Sequence, residues 1–391
     1  MKSRDCKKDF PFFSNESITY LDNAATTQKP QVVLDAVNAY YTHYCSNTHR
    51  GSHDLGNQAT IAYEKSREVI AQFIGAESRE LVFTRGTTEA INLVAQSFVA
   101  GNFSTVLLSH LEHHSNILPW QMHGLNIEVI PMDDNLNIDI EGFHELLQEN
   151  PKSFVSITHI SNAFGIINPV KELIALAHEY ECVVLIDGAQ ALAHTTIDVK
   201  DINADFYAVS AHKVYGPTGI GALYGKYELL SQMPPYQGGG SMIKDVTFHD
   251  ATFLDPPLRF EAGTQAIAQV IGFAAAVNYL SSIEDSQSHD KELMDYAKSE
   301  LKRIDNVILY SEAENVCGNI SFTLHGIHHD DIAILLSKQK IMLRSGHHCA
   351  LPIMRTLGIE GTVRLSFAIY NSKEDIDLTI EALYKAIKML S

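Results

Sequence analysis

The sequence predicts an α/β protein. Its large domain is built on a mainly parallel sheet between helices, and a smaller α/β domain follows at the C-terminal end. Three observations carry this. Strand-like and helix-like segments alternate from about residue 57 to residue 213. The strand segments are continuously apolar rather than alternating, as in sheets covered by helices on both faces. The chain has 391 residues, too many for one compact core. The boundaries read as an N-terminal arm over 1–20 that packs with the small domain, a large domain over 21–265, and a small domain over 266–391.

The elements follow in order. Residues 57–74 carry apolar positions at helical spacing, and Gly75 is the stop. Residues 80–85 (ELVFTR) form a short strand, and GTTEAINLVAQSFV continues as a helix. STVLLS (104–109), NIEVIPM (126–132) and SFVSITHIS (153–161) read as further strands, the last followed by the helix VKELIALAHEY. ECVVLID ends at Asp187, and ADFYAVSA ends just before His212 and Lys213. Gly238–Gly240 and Pro256–Pro257 interrupt the pattern, and a long helical stretch starts near residue 265.

Composition excludes several classes of function. Hydrophobic residues make up 45% and charged residues 19%, ordinary for a globular protein. The formal charge is -18, which disfavours a nucleic-acid backbone or an anionic membrane as partner. The five cysteines are an odd, scattered set, Cys6, Cys45, Cys182, Cys317 and Cys349, unlike a disulfide framework. The N-terminal residues lack the apolar run of a signal peptide, and no segment reaches the roughly 20 apolar residues of a membrane span. The expectation is a cytoplasmic protein.

Open α/β sheets bind ligands beyond the carboxyl ends of their strands, and four motifs fall there. Asp187 closes one strand, and Lys213 follows the next. Taken singly, each has a plain structural reading, as a helix cap and as a solvated lysine. Together they offer a carboxylate and an amine at neighbouring strand ends, the pair that a pyridoxal-phosphate (PLP) enzyme needs. Thr87 and Thr88, between a strand and a helix, suit a phosphate at a helix N-terminus, or simply cap that helix. His113 and His114 follow a strand, and an imidazole can stack on an aromatic cofactor. A metal reading through His110 lacks accompanying ligands, and His347, His348 and Cys349 are too close in sequence to share one zinc ion. In RSGHHCALP, Cys349 lies near histidines and Arg344, which can raise its thiolate fraction. Arg364 in VRLSFAIYN suits a carboxylate.

Asp187-Gly-Ala-Gln190, Ser210-Ala-His212-Lys213, Arg85-Gly-Thr-Thr-Glu89 and Arg344-Ser-Gly-His-His-Cys349-Ala together resemble the group II, SUF-type cysteine desulfurases. These are class V aminotransferase relatives of the fold-type I PLP enzymes. The resemblance runs from YLDNAATTQKP near residue 20 to VRLSFAIYN near 370, and RSGHHCALP is its most specific part. It implies Lys213 as the Schiff-base lysine, Asp187 as partner of the pyridine nitrogen, Gln190 near the ring hydroxyl, and Asn162 near the ring hydroxyl and the substrate. It implies His113 as the ring-stacking catalytic histidine, and Thr88, Ser210 and His212, with Thr87, as phosphate contacts. Arg364 matches the substrate-carboxylate arginine, Arg344 an arginine at the entrance, and Cys349 the sulfur-accepting nucleophile. Thr264 in FEAGTQ resembles a phosphate contact given by a partner subunit, and His49 in NTHRGSH a substrate-site residue supplied in the same way, which implies a homodimer. Gln265-Ala266 departs from the family's Pro-Asn and leaves the shape of that loop open. The implied reaction removes sulfur from L-cysteine, leaves L-alanine and a persulfide on Cys349, and passes the sulfur to a small acceptor protein for iron–sulfur cluster assembly. The competing readings are a selenocysteine lyase acting on L-selenocysteine, an aminotransferase, and a non-catalytic scaffold of the same fold.

Overall fold

The computed structural model describes residues 1–15, 17–49 and 52–390. A seven-stranded sheet runs through the large domain. Its order is Leu81–Thr84, Gly221–Gly225, Phe206–Ser210, Val183–Asp187, Phe154–Thr158, Thr105–Leu108 and Asn126–Val129. All its neighbours pair in parallel except those of Gly221–Gly225, which is antiparallel to both. The central strands Phe154–Thr158 and Phe206–Ser210 are buried along their whole length, which explains their unbroken apolar character. Each of the expected strand segments is present, shorter by up to three residues at an end. GALYG, the strand Gly221–Gly225, carries no strand signal in the sequence. It is short and glycine-flanked, and it closes the sheet between two others.

The helix expected from residue 57 spans Asp54–Phe73. Its first turn is capped by the His53 side chain, which accepts from the Gly56 N–H, and Gly75 has φ +75° just beyond its end. The helix expected after Arg85 spans Thr87–Val94 and continues as a π-helical segment to Val99.

The boundary expected at 265/266 needs correction. Helix Ile267–Ser281 packs on helices Gln31–His43 and Asp54–Phe73, and nine of its residues are buried in the core they share with the large sheet. A helix that is apolar all round must be covered on every side, and here the large domain supplies the cover. The small domain starts with helix Ser286–Leu301. Its antiparallel sheet has the order Val307–Leu309, Asn319–Leu324, Thr362–Ser366, Arg344–Gly346. A separate apolar core is formed by Leu293, Ile320, Phe322, Ile332, Val363 and Leu383.

The N-terminal arm touches both domains. Thr19–Tyr20 pairs in parallel with Ile341–Met342 and Lys7 bonds Asp375, while Phe10 packs against Tyr215, Tyr279 and Tyr370. No single helix among the described residues is long and apolar enough to cross a membrane.

Candidate active site

Thr158, Asp187 and Ala208 stand in register on adjacent strands, so the carboxyl ends of the parallel strands form one edge. The small domain brings the 344–350 segment over that edge. Between them lies a cavity of 270 Å³ lined by Thr87, Thr88, His113, Asn162, Asp187, Gln190, Ser210, His212, Lys213, Arg344, Cys349 and Arg364. Two predicted site residues lie elsewhere in this chain. Thr264 is exposed and lines a separate cavity with Arg85, Tyr236 and Gln237. His49 bonds Glu64 at 2.8 Å and packs edge-on to Tyr63. Arg50 and Gly51 of the same motif lie outside the described residues.

One end of the cavity is a set of hydroxyls. The Ser210 Oγ accepts the Thr87 N–H at 2.9 Å and shares a second 2.9 Å bond with the Thr87 hydroxyl. Thr88 bonds Ser115 at 2.8 Å. Two glycines permit this close approach. A Cβ on Gly221 would sit 2.6 Å from the Gly86 Cα and 2.3 Å from the Val209 carbonyl oxygen. The His212 carbonyl is held by the Thr27 N–H at 3.0 Å and the Lys29 ammonium at 3.2 Å.

The middle carries the charged pair. Asp187 is buried and its carboxylate accepts the Ala189 N–H at 2.9 Å. Burial pushes its carboxyl above the usual range, opposed by that N–H and by Lys213. Burial lowers the Lys213 amine to about 8, against the attraction of Asp187. Burial, with Lys213 nearby, lowers His113 to about 3, so its ring is neutral. Its Nδ1 accepts the Ser115 N–H at 3.0 Å, which leaves the ring hydrogen on Nε2. Beneath this loop, the buried Glu112 accepts from Ser109, Asn116 and the Thr158 N–H, which ties the loop to the sheet. Gln190 donates to the Ala24 carbonyl at 2.8 Å.

The third region holds the arginines and the cysteine. Arg364 is 2% exposed. It donates to the Asn162 carbonyl at 2.7 Å and to Asp22 at 3.1 Å, while its Nε–H is buried without a partner among the described residues. Burial lowers its pKa to about 10. Arg344 forks onto the same Asp22 carboxylate at 3.1–3.2 Å. One carboxylate therefore orients two guanidiniums and leaves the pair with a net positive charge, which suits an anionic substrate group. Cys349 is half-buried and has φ +56°, next to His348 at φ +51°.

Sequence reasoning did not assign Asp22, Glu112, Ser115 or His348. The first sits inside the quoted motif YLDNAATTQKP, and the others are next to residues that were read as functional. Adjacency is the available signal for these residues, and the arginine partners of Asp22 lie 322 and 342 residues away.

The aminotransferase class-V family model matches residues 19–379. A probable cysteine desulfurase of Vibrio cholerae is 43% identical, over 95% of this chain and 94% of that protein. Mycobacterial and Synechococcus relatives at 43–44% identity are longer, and the chain spans 57–64% of their length. Among solved structures, the apo cysteine desulfurase of Thermococcus onnurineus superposes with a TM-score of 0.93 at 37% identity, covering 98% of each chain. An Escherichia coli cysteine desulfurase in an S-sulfonic acid form superposes with a TM-score of 0.92 at 36% identity, covering each chain entirely. The chain belongs to the class-V aminotransferase family, among its cysteine desulfurases.

Proposed function

We propose that this chain is a PLP-dependent cysteine desulfurase that converts L-cysteine to L-alanine and keeps the sulfur as a persulfide on Cys349. The observation that carries this is the meeting of Lys213, Arg364 and Cys349 in one cavity. An aminotransferase would need the first two but would have no use for a thiol there.

The residues present fit the cofactor. The Thr87, Thr88 and Ser210 hydroxyls at the start of a helix suit a phosphate, with His212 beside them. The buried Asp187 lacks a full counter-charge and suits a protonated ring nitrogen. Gln190 and Asn162 line the same cavity and would offer their amides to the ring hydroxyl, and the flat ring of His113 would offer a stacking face. When bound, the cofactor supplies an aldehyde that captures the substrate amine and a ring that accepts electrons from Cα.

The chain's own residues then divide the work. Arg364 takes the substrate carboxylate on its open edge, with Arg344 at the entrance. With its pKa lowered to about 8, Lys213 has a usable amine fraction near neutral pH and can take the Cα proton as general base. The Cys349 thiolate attacks the substrate sulfur. The new S–S bond forms as the C–S bond breaks, its electron pair stays with the carbon fragment, and a proton completes alanine. The Cys349 persulfide then passes its outer sulfur to a small acceptor protein. RSGHHCALP supports the group II subtype. Thr264 is exposed and stands outside the cavity of its own chain, which supports a homodimer. A second copy's Thr264 could complete the phosphate end.

The test is turnover of L-cysteine with a reductant by the wild type, Lys213→Ala and Cys349→Ala. The wild type should form alanine and sulfide in equal amounts, and both variants should lose at least about 100-fold in rate. Wild-type sulfide release by Cys349→Ala would refute the assignment of the nucleophile.

A further inference from the structure

The mechanism above leaves His114 without a task, although it joins the two halves of the site. It follows His113 in the large domain, and three of its groups engage the cysteine loop of the small domain. Its N–H donates to the Cys349 carbonyl at 2.8 Å. Its Nε2 accepts the Leu351 N–H at 3.1 Å. Its ring lies 5.6 Å from that of His347 at an interplanar angle of 30°.

The loop needs such a hold. His348 and Cys349 are consecutive non-glycine residues in the left-handed region, a conformation that persists only where the surroundings impose it. Within the small domain, the loop is supported by the Cys349 N–H on the His347 Nδ1 at 3.1 Å and by His348 on Thr362 at 2.8 Å. Across the cleft, Asn162 donates to the His348 carbonyl at 2.6 Å, and His114 engages residues 347, 349 and 351 around the thiol.

We infer that His114 is a positioning residue for the sulfur-transfer half of the reaction, clasping the strained loop so that the Cys349 thiol stays in the cavity. This rests on the functional reading above for what the thiol does there, but the clasp itself can be read without turnover. The prediction separates two half-reactions. Proton exchange at Cα depends on Lys213, whereas sulfur transfer depends on where Cys349 sits.

The experiment uses the PLP-loaded wild type, His114→Phe and His114→Gln. Phenylalanine keeps a ring beside His347 but cannot accept from Leu351, whereas the glutamine amide oxygen can. Alkylation of Cys349 by iodoacetamide, followed by peptide mass spectrometry, should be about tenfold faster in His114→Phe, the shift that one lost hydrogen bond gives. Persulfide formation from L-cysteine in a single turnover should fall by a similar factor, while exchange of the L-alanine Cα hydrogen in D2O holds its rate. His114→Gln should stay close to the wild type in all three. Wild-type alkylation in His114→Phe would overturn the clasp, as would an equal fall in persulfide formation and Cα exchange, or a glutamine variant as defective as the phenylalanine one. His114→Ala, which also lacks the acceptor, is the second variant should the phenylalanine protein fail to fold, and it is read by the same outcomes. A wild type that forms no persulfide would count against the functional reading, while the alkylation comparison would still decide the clasp.

Discussion

Lys213 and Asp187 show how burial sets chemistry at single residues. Both are pushed toward their neutral forms by the loss of water, and each partly restores the charge of the other. In the apo chain the Lys213 amine should therefore react with an acylating reagent along a titration centred near 8 rather than at the ordinary 10.5. Peptide mapping of the modified lysine against pH measures this, and a midpoint near 10 would contradict it. Arg364→Lys removes the planar fork and keeps one charge. KM for L-cysteine should rise by about 10- to 100-fold, with a smaller loss in kcat, measured by steady-state alanine formation. The residues with chemically distinctive side chains in their motifs, such as Lys213, Asp187 and Cys349, were legible in the sequence. Asp22 was not. Its arginine partners lie 322 and 342 residues away, and an aspartate in a loop carries no mark of the two cations it will hold.

At the scale of elements, the parallel strands were legible because burial on both faces makes them uniformly apolar. Helix Ile267–Ser281 was legible as a helix but not as part of the large domain. An all-apolar helix has no polar face to show which side is covered, so its partners are set only by tertiary packing. The antiparallel strand Gly221–Gly225 was hidden by its glycines, one of which the site requires. Gly221→Ala should drive backbone against backbone, cost about 1–3 kcal/mol of stability and weaken PLP binding by displacing Gly86. Urea unfolding and cofactor titration measure the two effects. A second joint lies behind the first strand. Arg67, 1% exposed, pairs with Glu261 at 2.6 Å, and Glu261 also accepts from the Phe83 N–H and the Tyr63 hydroxyl. Glu261→Ala leaves a buried guanidinium short of charge and should cost about 3–5 kcal/mol, read by the same unfolding measurement.

For the whole molecule, the buried histidines set a dependence on acid. Burial lowers His113 to about 3, His159 and His212 to about 4, and His348 to about 2. The unfolded chain takes up these protons near pH 6.5 and the folded chain does not. The stability they contribute is therefore present above pH 6.5 and is lost as pH falls through the window below it. Glu112, raised to about 8 by burial, and Asp187, also raised, act in the opposite sense, but the four histidines outnumber them. The apo protein should have a lower thermal midpoint at pH 5 than at pH 7, by scanning calorimetry, and a higher one would contradict the balance.

The two-domain plan has one functional result, a thiol from one core held over an amine from the other. That arrangement is tested most directly by peptide mass spectrometry of the PLP-loaded protein after one equivalent of L-cysteine without reductant. The account predicts one added sulfur atom on the peptide carrying Cys349, released by a thiol, together with one alanine per added sulfur. Alanine formed with no sulfur on Cys349, or sulfur carried by one of the other four cysteines, would contradict it.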